Sequence, residues 1–306
     1  MKVLVATDKA FATVAVSKIR EVTEAAGHEL VLLENYKSVT DLLAAVADAD
    51  AMIVRSDLVT GEVLEAAEKL KIVVRAGAGY DNLDLAACTS HNVVAMNTPG
   101  QNSNAVAELA FELMLFHARH GFAGKSGSEL RGKTIGIHAY GAVGRYVAEI
   151  AKGFGMRVFA FDPFVSIEDI KNNGIIPSEN AEELYSACQY VSLHIPSNDK
   201  TNKSIGYHLL KMMPENAVLV NTARKEVINE EELLKIMEDR HDLAYLSDIE
   251  PDSKVIFEEK YKGRFIFTAK KMGAQTEEAN INAGVAAARQ IADYFLTGNV
   301  KFKVNK

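Results

Sequence analysis

The chain has 306 residues, 48% of them hydrophobic and 25% charged, which is ordinary for a water-soluble globular protein of about two domains. A net charge of -7 without any basic run argues against nucleic acid, and the apolar runs are strand-sized, too short to span a membrane. Cys88 and Cys188 are too few for a disulfide framework, and residues 1–8 enter a short apolar strand without a cleavable signal, so a reducing cytoplasm is expected and no metal.

From residue 1 the chain alternates short β-branched runs with amphipathic stretches. Strands are expected at 3–6, 30–33, 51–54, 72–74 and 93–95, with helices at 11–26, 40–48 and 60–69 between them. Such alternation implies a parallel sheet covered by helices on both faces. A long helix at 101–119 and a glycine-containing linker at 121–127 follow. The pattern then restarts, with strands near 134–138, 157–161, 190–194, 217–221, 243–247 and 264–268, again separated by helices. The fold class is α/β, with two doubly wound parallel-sheet domains. A final helix near 276–296 comes too late in the chain to belong clearly to either.

The run from Ala139 through Tyr140, Gly141, Ala142 and Val143 to Gly144 reads as G-x-G-x-x-G with alanine in the first place. Alone the match is weak. Its context is stronger: an apolar strand before it, a helix expected at 145–154, and a second strand ending at Asp162, 18 residues beyond Gly144. Gly141 lets the backbone approach a pyrophosphate seated on the helix N-terminus. Ala139 is tolerable if its φ is negative and costly if the turn needs φ above zero. The bland alternative is a strand-helix-strand unit that binds nothing. A carboxylate at Asp162, with no Arg or Ser beside it, favours NAD over NADP.

Two further turns close strands. Arg224 directly follows the apolar run 217–222, and the C-terminal ends of parallel strands are where ligands bind, which weighs against a surface salt bridge. After Arg75, the small residues Ala76, Gly77, Ala78 and Gly79 offer backbone N–H donors suited to a carboxylate.

The stretch from Asn97 to Leu109, the Ala139–Gly144 turn and the block Asn221-Thr222-Ala223-Arg224, in this order, resemble the D-2-hydroxyacid dehydrogenase family, and within it the phosphoglycerate-oxidising branch. The resemblance covers nearly the whole chain. It implies a flavodoxin-like substrate domain from 1–98 plus 278–306, a Rossmann-type NAD domain at 99–277, and a homodimer. It also assigns His194, Ile195 and Pro196 to the adenosine side, Asp248 to the nicotinamide amide, and Thr222, Ala223, Gly273 and Ala274 to the cofactor. Without the proline two residues on, His194 would read better as a core histidine. By the same resemblance Ala76, Gly77 and Arg224 hold the substrate carboxylate, Arg55 and Ser56 its phosphate, and Arg75 is a second phosphate or cofactor contact.

The family's catalytic His-x-Gly-Gly/Ala-x-Thr appears here as Lys271-Met272-Gly273-Ala274-Gln275-Thr276, so Lys271 takes the histidine's place. Glu250, near the family's paired Glu, is left out of the site, because a carboxylate helps an imidazolium but pushes an already basic lysine further up. The appended regulatory domains of longer relatives are not expected here. The expected function is NAD-dependent oxidation of D-3-phosphoglycerate, a phosphorylated 2-hydroxy acid, at the start of serine synthesis. Two rivals stand beside it: a glyoxylate or hydroxypyruvate reductase, and a dinucleotide-sensing interaction protein that has lost its base.

Overall fold

The computed structural model describes residues 1–306. In chain order the elements are β1 (Lys2–Thr7), α1 (Thr13–Ala25), β2 (Glu29–Glu34), α2 (Val39–Val46), β3 (Ala51–Val54), α3 (Gly61–Ala66), β4 (Ile72–Arg75), α4 (Leu85–Ser90) and β5 (Val94–Asn97). Next come α5 (Ser103–Ala118), β6 (Thr134–His138), α6 (Ala142–Gly153), β7 (Arg157–Phe161), α7 (Ile167–Asn172), β8 (Ile176–Pro177), α8 (Ala181–Ala187) and β9 (Tyr190–Leu193). The chain finishes with α9 (Tyr207–Met212), β10 (Val218–Asn221), α10 (Glu230–Asp239), β11 (Ala244–Ser247), α11 (Lys254–Lys260), β12 (Phe265–Phe267) and α12 (Glu277–Thr297). No helix is long and apolar enough to cross a membrane.

These elements form two compact units, Met1–Asn102 with Gln275–Lys306, and Ser103–Ala274. The sequence places the boundaries at 98/99 and 277/278, and the structure moves both by a few residues. Thr98 N–H donates to Gly77 O at 2.9 Å, which keeps the segment after β5 with the first unit. At the other boundary, Thr276 is tied to the start of α12, its hydroxyl accepting from Ala279 N–H at 3.1 Å and its carbonyl from the Asn280 amide at 2.7 Å, which keeps it with the first unit.

The first unit is a five-stranded parallel sheet in the order β2-β1-β3-β4-β5, the flavodoxin-like arrangement. Its strands are nearly continuous apolar runs because both faces are covered. On one side α1 and α12 pack closely: a Cβ on Gly284 would lie 2.7 Å from Ile19 Cδ1. The open edge of β5 is closed by the chain's own end. Val304 N–H donates to Ala95 O, and the Asn305 amide accepts from Ala95 N–H and donates to Val93 O. A side-chain amide thus stands in for the backbone of a further strand, which protects an edge from pairing with another chain.

The second unit is a seven-stranded parallel sheet, β12-β11-β10-β9-β6-β7-β8. The order reverses between β6 and β9, which is where an open α/β sheet leaves a ligand crevice at its C-terminal ends. The last strand, β8, is two residues long and ends in Pro177; a proline confines it to the edge. The helix after the glycine turn begins at Ala142, three residues before the expected start, so Gly141 itself is the N-cap.

His138 ends β6 in a buried cluster, with Nδ1 at 3.3 Å from the Tyr185 hydroxyl and Phe161 beside the ring. Burial pushes its imidazole down to about 4. The folded value lies below the ordinary ~6.5, so this contribution to stability is present above pH ~6.5 and is lost as pH falls towards 4. Chemical denaturation should show stability declining over that window. His138→Gln should remove part of that decline, by up to about 3 kcal/mol; identical pH slopes for the two proteins would mean that His138 does not titrate there.

Candidate active site

The glycine turn sits at the reversal point of the second sheet. Ala139 N–H donates to Phe161 O at 2.9 Å, and Tyr140 N–H donates to Asp162 Oδ2 at 2.8 Å. Asp162 Oδ1 accepts from Phe164 N–H, also at 2.8 Å, so this carboxylate fixes the turn while retaining lone pairs for hydroxyl groups. At the start of α6 no side chain caps the helix and no acid lies in its first turn. The N–H groups of Ala142, Val143 and Gly144 are therefore left for an anion. A Cβ on Gly141 would meet nothing within 4 Å, leaving open space for close backbone approach, whereas one on Gly144 would lie 2.4 Å from Ala139 O. This donor set fits the pyrophosphate of a dinucleotide.

Ala139 has φ of 78°, the left-handed region that the first glycine of such a turn would adopt freely. Here the alanine bears steric strain of about 1 kcal/mol.

Across the reversal point, His194 N–H donates to His138 O, and its Nε2 lies 3.0 Å from Ser192 Oγ. Burial, then the neighbouring His138, push His194 down to about 3, so the ring is neutral and available as a hydrogen-bonding group. Ile195 is buried and Pro196 exposed, its carbonyl held by the Thr201 hydroxyl at 2.5 Å.

At the ends of β10 and β11 the cationic residues converge. Asn221 shapes the turn: its amide donates to Arg224 O at 2.9 Å and accepts from Ala223 N–H at 3.0 Å. Ala223 O then receives two donors, Arg224 Nη1 at 3.0 Å and Lys271 Nζ at 2.5 Å. Two residues 47 positions apart in sequence, Arg224 and Lys271, thus share one carbonyl. Thr222 Oγ1 is buried beside them with no hydrogen-bond partner. Lys270 is exposed, and Glu250 pairs instead with Lys254 at 2.6 Å.

What places Lys271 is Asp248, 1% exposed. Its Oδ1 accepts from Met272 N–H at 2.6 Å and Thr268 Oγ1 at 3.2 Å, and its Oδ2 from Gly273 N–H at 2.8 Å. With about four lone-pair sites on a carboxylate, three are taken and one remains. Gly273 is needed there: a Cβ would sit 2.8 Å from Asp248 Oδ2 and 3.2 Å from Val106. Ala274 beyond it is half-buried. The loop-clamping role of Asp248 and the turn-shaping role of Asn221 are not evident from the residues alone; an Asn closing a strand before a short turn was the available signal for the latter.

In the first unit the sheet order reverses between β1 and β3, and Arg55 stands at that point. Its guanidinium donates to Lys9 O at 3.1 Å, Ala10 O at 3.4 Å and Asn280 Oδ1 at 2.6 Å, and lies 5.0 Å over the Phe11 ring. All of these acceptors are uncharged, so the cation is oriented without being neutralised by direct pairing. Burial lowers its pKa from the usual arginine value. Ser56 is exposed. Arg75 Nε donates to Arg55 O at 3.0 Å.

The small-residue turn corrects one expectation. Ala76 N–H already donates to Val54 O at 2.8 Å, and Gly77 N–H to Arg75 O at 2.9 Å, so neither is free for a carboxylate. The N–H groups of Ala78 and Gly79 make no hydrogen bond within the protein, and they are the donors on offer. Gly77 is required for another reason: at φ 151°, a Cβ there would collide with the Arg75 guanidinium.

Residues 105–259 match the family model described as D-isomer specific 2-hydroxyacid dehydrogenase, NAD binding domain. Among curated proteins the chain is 35% identical to a D-3-phosphoglycerate dehydrogenase of Methanocaldococcus jannaschii, over 82% of this chain and 51% of that one. It is 31% identical to a hydroxypyruvate reductase of Thermotoga maritima, over 86% of this chain and 90% of that one. Among solved structures it resembles NAD+-bound 3-phosphoglycerate dehydrogenase of Entamoeba histolytica, with TM-score 0.87 and 51% identity, covering 100% of this chain and 99% of that one. The chain spans about half the length of the first curated relatives it matches.

The strain at Ala139 gives a direct test. Ala139→Gly should raise stability by up to about 0.6 kcal/mol, the relieved strain less the entropy that glycine adds to the unfolded chain. Urea unfolding reads this difference; a destabilised glycine variant would mean that the alanine is not strained.

Proposed function

The chain belongs to the D-isomer specific 2-hydroxyacid dehydrogenases, and from that premise we infer that it oxidises D-3-phosphoglycerate to 3-phosphohydroxypyruvate with NAD, and runs the reverse reaction. The observation that carries the chemistry is the convergence of Arg224 and Lys271 on Ala223 O. The 51% identity to a 3-phosphoglycerate dehydrogenase over the full chain supports the substrate. The serine-forming direction of metabolism, a homodimer and a cytoplasmic location belong to the same reading.

In this mechanism the turn from Tyr140 to Gly144 receives the pyrophosphate, Asp162 the adenosine ribose, His194–Pro196 the adenosine, and the remaining lone pair of Asp248 the nicotinamide amide. Thr222, Ala223, Gly273 and Ala274 line the cofactor's reactive end. When bound, the cofactor exchanges hydride with C2 of the substrate. Asp162 disfavours NADP, because a fixed carboxylate repels the additional phosphate.

Arg224 has N–H groups beyond the one donated to Ala223 O. A planar guanidinium can hold the substrate carboxylate and the C2 oxygen together, which a lysine does less well. Lys271 Nζ, fixed by the same carbonyl, takes the C2 hydroxyl proton during oxidation and returns it during reduction. The N–H groups of Ala78 and Gly79 replace those of Ala76 and Gly77 as carboxylate donors. Arg55, with Ser56 and Arg75, takes the phosphate.

The hydroxypyruvate reductase relative supports a second reading, in which the substrate lacks the phosphate. Arg55 separates the two. Arg55→Ala should raise KM for phosphohydroxypyruvate about ten- to a hundredfold, the worth of a charge-assisted contact, and leave hydroxypyruvate little changed. Equal effects on both substrates would remove the phosphate from this reading.

Lys271→Ala should lower kcat by about 10²–10⁴ while NADH still binds, as followed by its fluorescence. Lys270→Ala should leave turnover near that of the parent. The oxidative rate should keep rising into alkaline pH, since an ordinary lysine with pKa ~10.4 is only about 0.04% neutral at pH 7. Near-parental turnover of Lys271→Ala, or damage from Lys270→Ala alone, contradicts the assignment.

A further inference from the structure

Away from the residues above, the first unit holds a cavity of about 890 Å³ between α1, α12, the end of β5 and the tail near residue 301. That volume lies within the range of small-molecule sites. Three cations reach it, Lys18, Arg289 and Lys301, and none is in a salt bridge. Of the two acids at its wall, Asp293 is already occupied, accepting from Thr297 and from Asn299. Glu21 is the other. Val22, Ile281 and Phe302 supply apolar wall, with Lys301 Nζ 5.5 Å from the Phe302 ring centre.

One polar group is unsatisfied. Gln290 Oε1 is buried with no hydrogen-bond partner, although its residue lines the cavity. A buried acceptor without a donor costs about 1–3 kcal/mol, so it favours an occupant that brings one. The other end of the same amide donates to Asn97 O at 3.0 Å. Asn97 Nδ2 in turn donates to Ala78 O at 2.6 Å. A hydrogen-bonded line therefore runs from the cavity to the turn whose Ala78 and Gly79 donors are unpaired.

We propose that this cavity is a second small-molecule site, taking a carboxylate with an apolar body and a hydroxyl or amino donor, and that its occupant is felt at the 78–79 turn through Gln290 and Asn97. The carboxylate answers the one cation in excess of the two acids, the body covers the apolar wall, and the donor satisfies Gln290 Oε1. The binding stands apart from the proposed reaction; only the meaning of its effect at the turn rests on that reading.

The probe is 4-hydroxyphenylacetate, titrated into the full chain by calorimetry without substrate or turnover. It should bind with Kd of about 1 mM or tighter. Arg289→Ala should weaken it about tenfold or more, and Ala286→Trp, which fills the cavity, should abolish it while the melting profile and NADH binding stay like the parent's. In nitrogen-edited spectra the amide signals of Ala78 and Gly79 should move with saturation. No binding at about 10 mM overturns the site, as does binding that both variants leave unchanged. Displacement by an equal concentration of inorganic phosphate overturns the amphipathic class. Binding that leaves the Ala78 and Gly79 signals fixed overturns the link. None of these outcomes depends on which 2-hydroxy acid the protein oxidises.

Discussion

The carboxylate of Asp248 is the contact on which the second unit's chemistry depends. Buried at the end of β11, it has no cation partner among its hydrogen bonds; it is satisfied by two backbone N–H groups and a hydroxyl from one short loop. Bonds from backbone N–H groups to a charged acceptor are stronger than neutral ones and hold the loop in one conformation. Lys271 lies one residue before the first of those N–H groups, so its side chain starts from a fixed point and reaches Ala223 O. Asn221 fixes that carbonyl from the other side through its own amide. Two short polar side chains, neither of them reactive, bring a lysine and an arginine to one oxygen.

A similar economy orients Arg55 in the first unit. Held by carbonyls, an amide and an aromatic face, its guanidinium keeps its charge available while losing its freedom. A carboxylate in the same place would orient it as well but would cancel the charge on which the proposed phosphate contact rests. Arg75 braces the arrangement through Arg55 O, and Gly77 is the residue small enough to pass beneath it.

Much of this was legible in the sequence. Strand and helix alternation comes from β-branched runs long enough for one strand each, and the two sheets follow from it. The interval from Gly144 to Asp162 places a carboxylate beside the glycine turn because one helix and one strand fill it. What was not legible depends on backbone direction. Whether Ala139 is strained turns on the sign of one dihedral angle. Ala76 and Gly77 look like free donors until the sheet register gives their N–H groups to Val54 and Arg75. The start of α6 was misplaced because Ala142 and Val143 carry no capping signal; an uncapped start is what leaves their N–H groups for an anion.

Chemical rescue of Lys271→Ala with small primary amines tests the central claim most directly. If Lys271 moves the C2 hydroxyl proton, added methylamine or ethylamine should restore oxidation in proportion to the concentration of neutral amine. The quaternary tetramethylammonium ion, which cannot carry a proton, should restore nothing. An alanine variant that turns over as fast as the parent, with or without amine, would contradict the account.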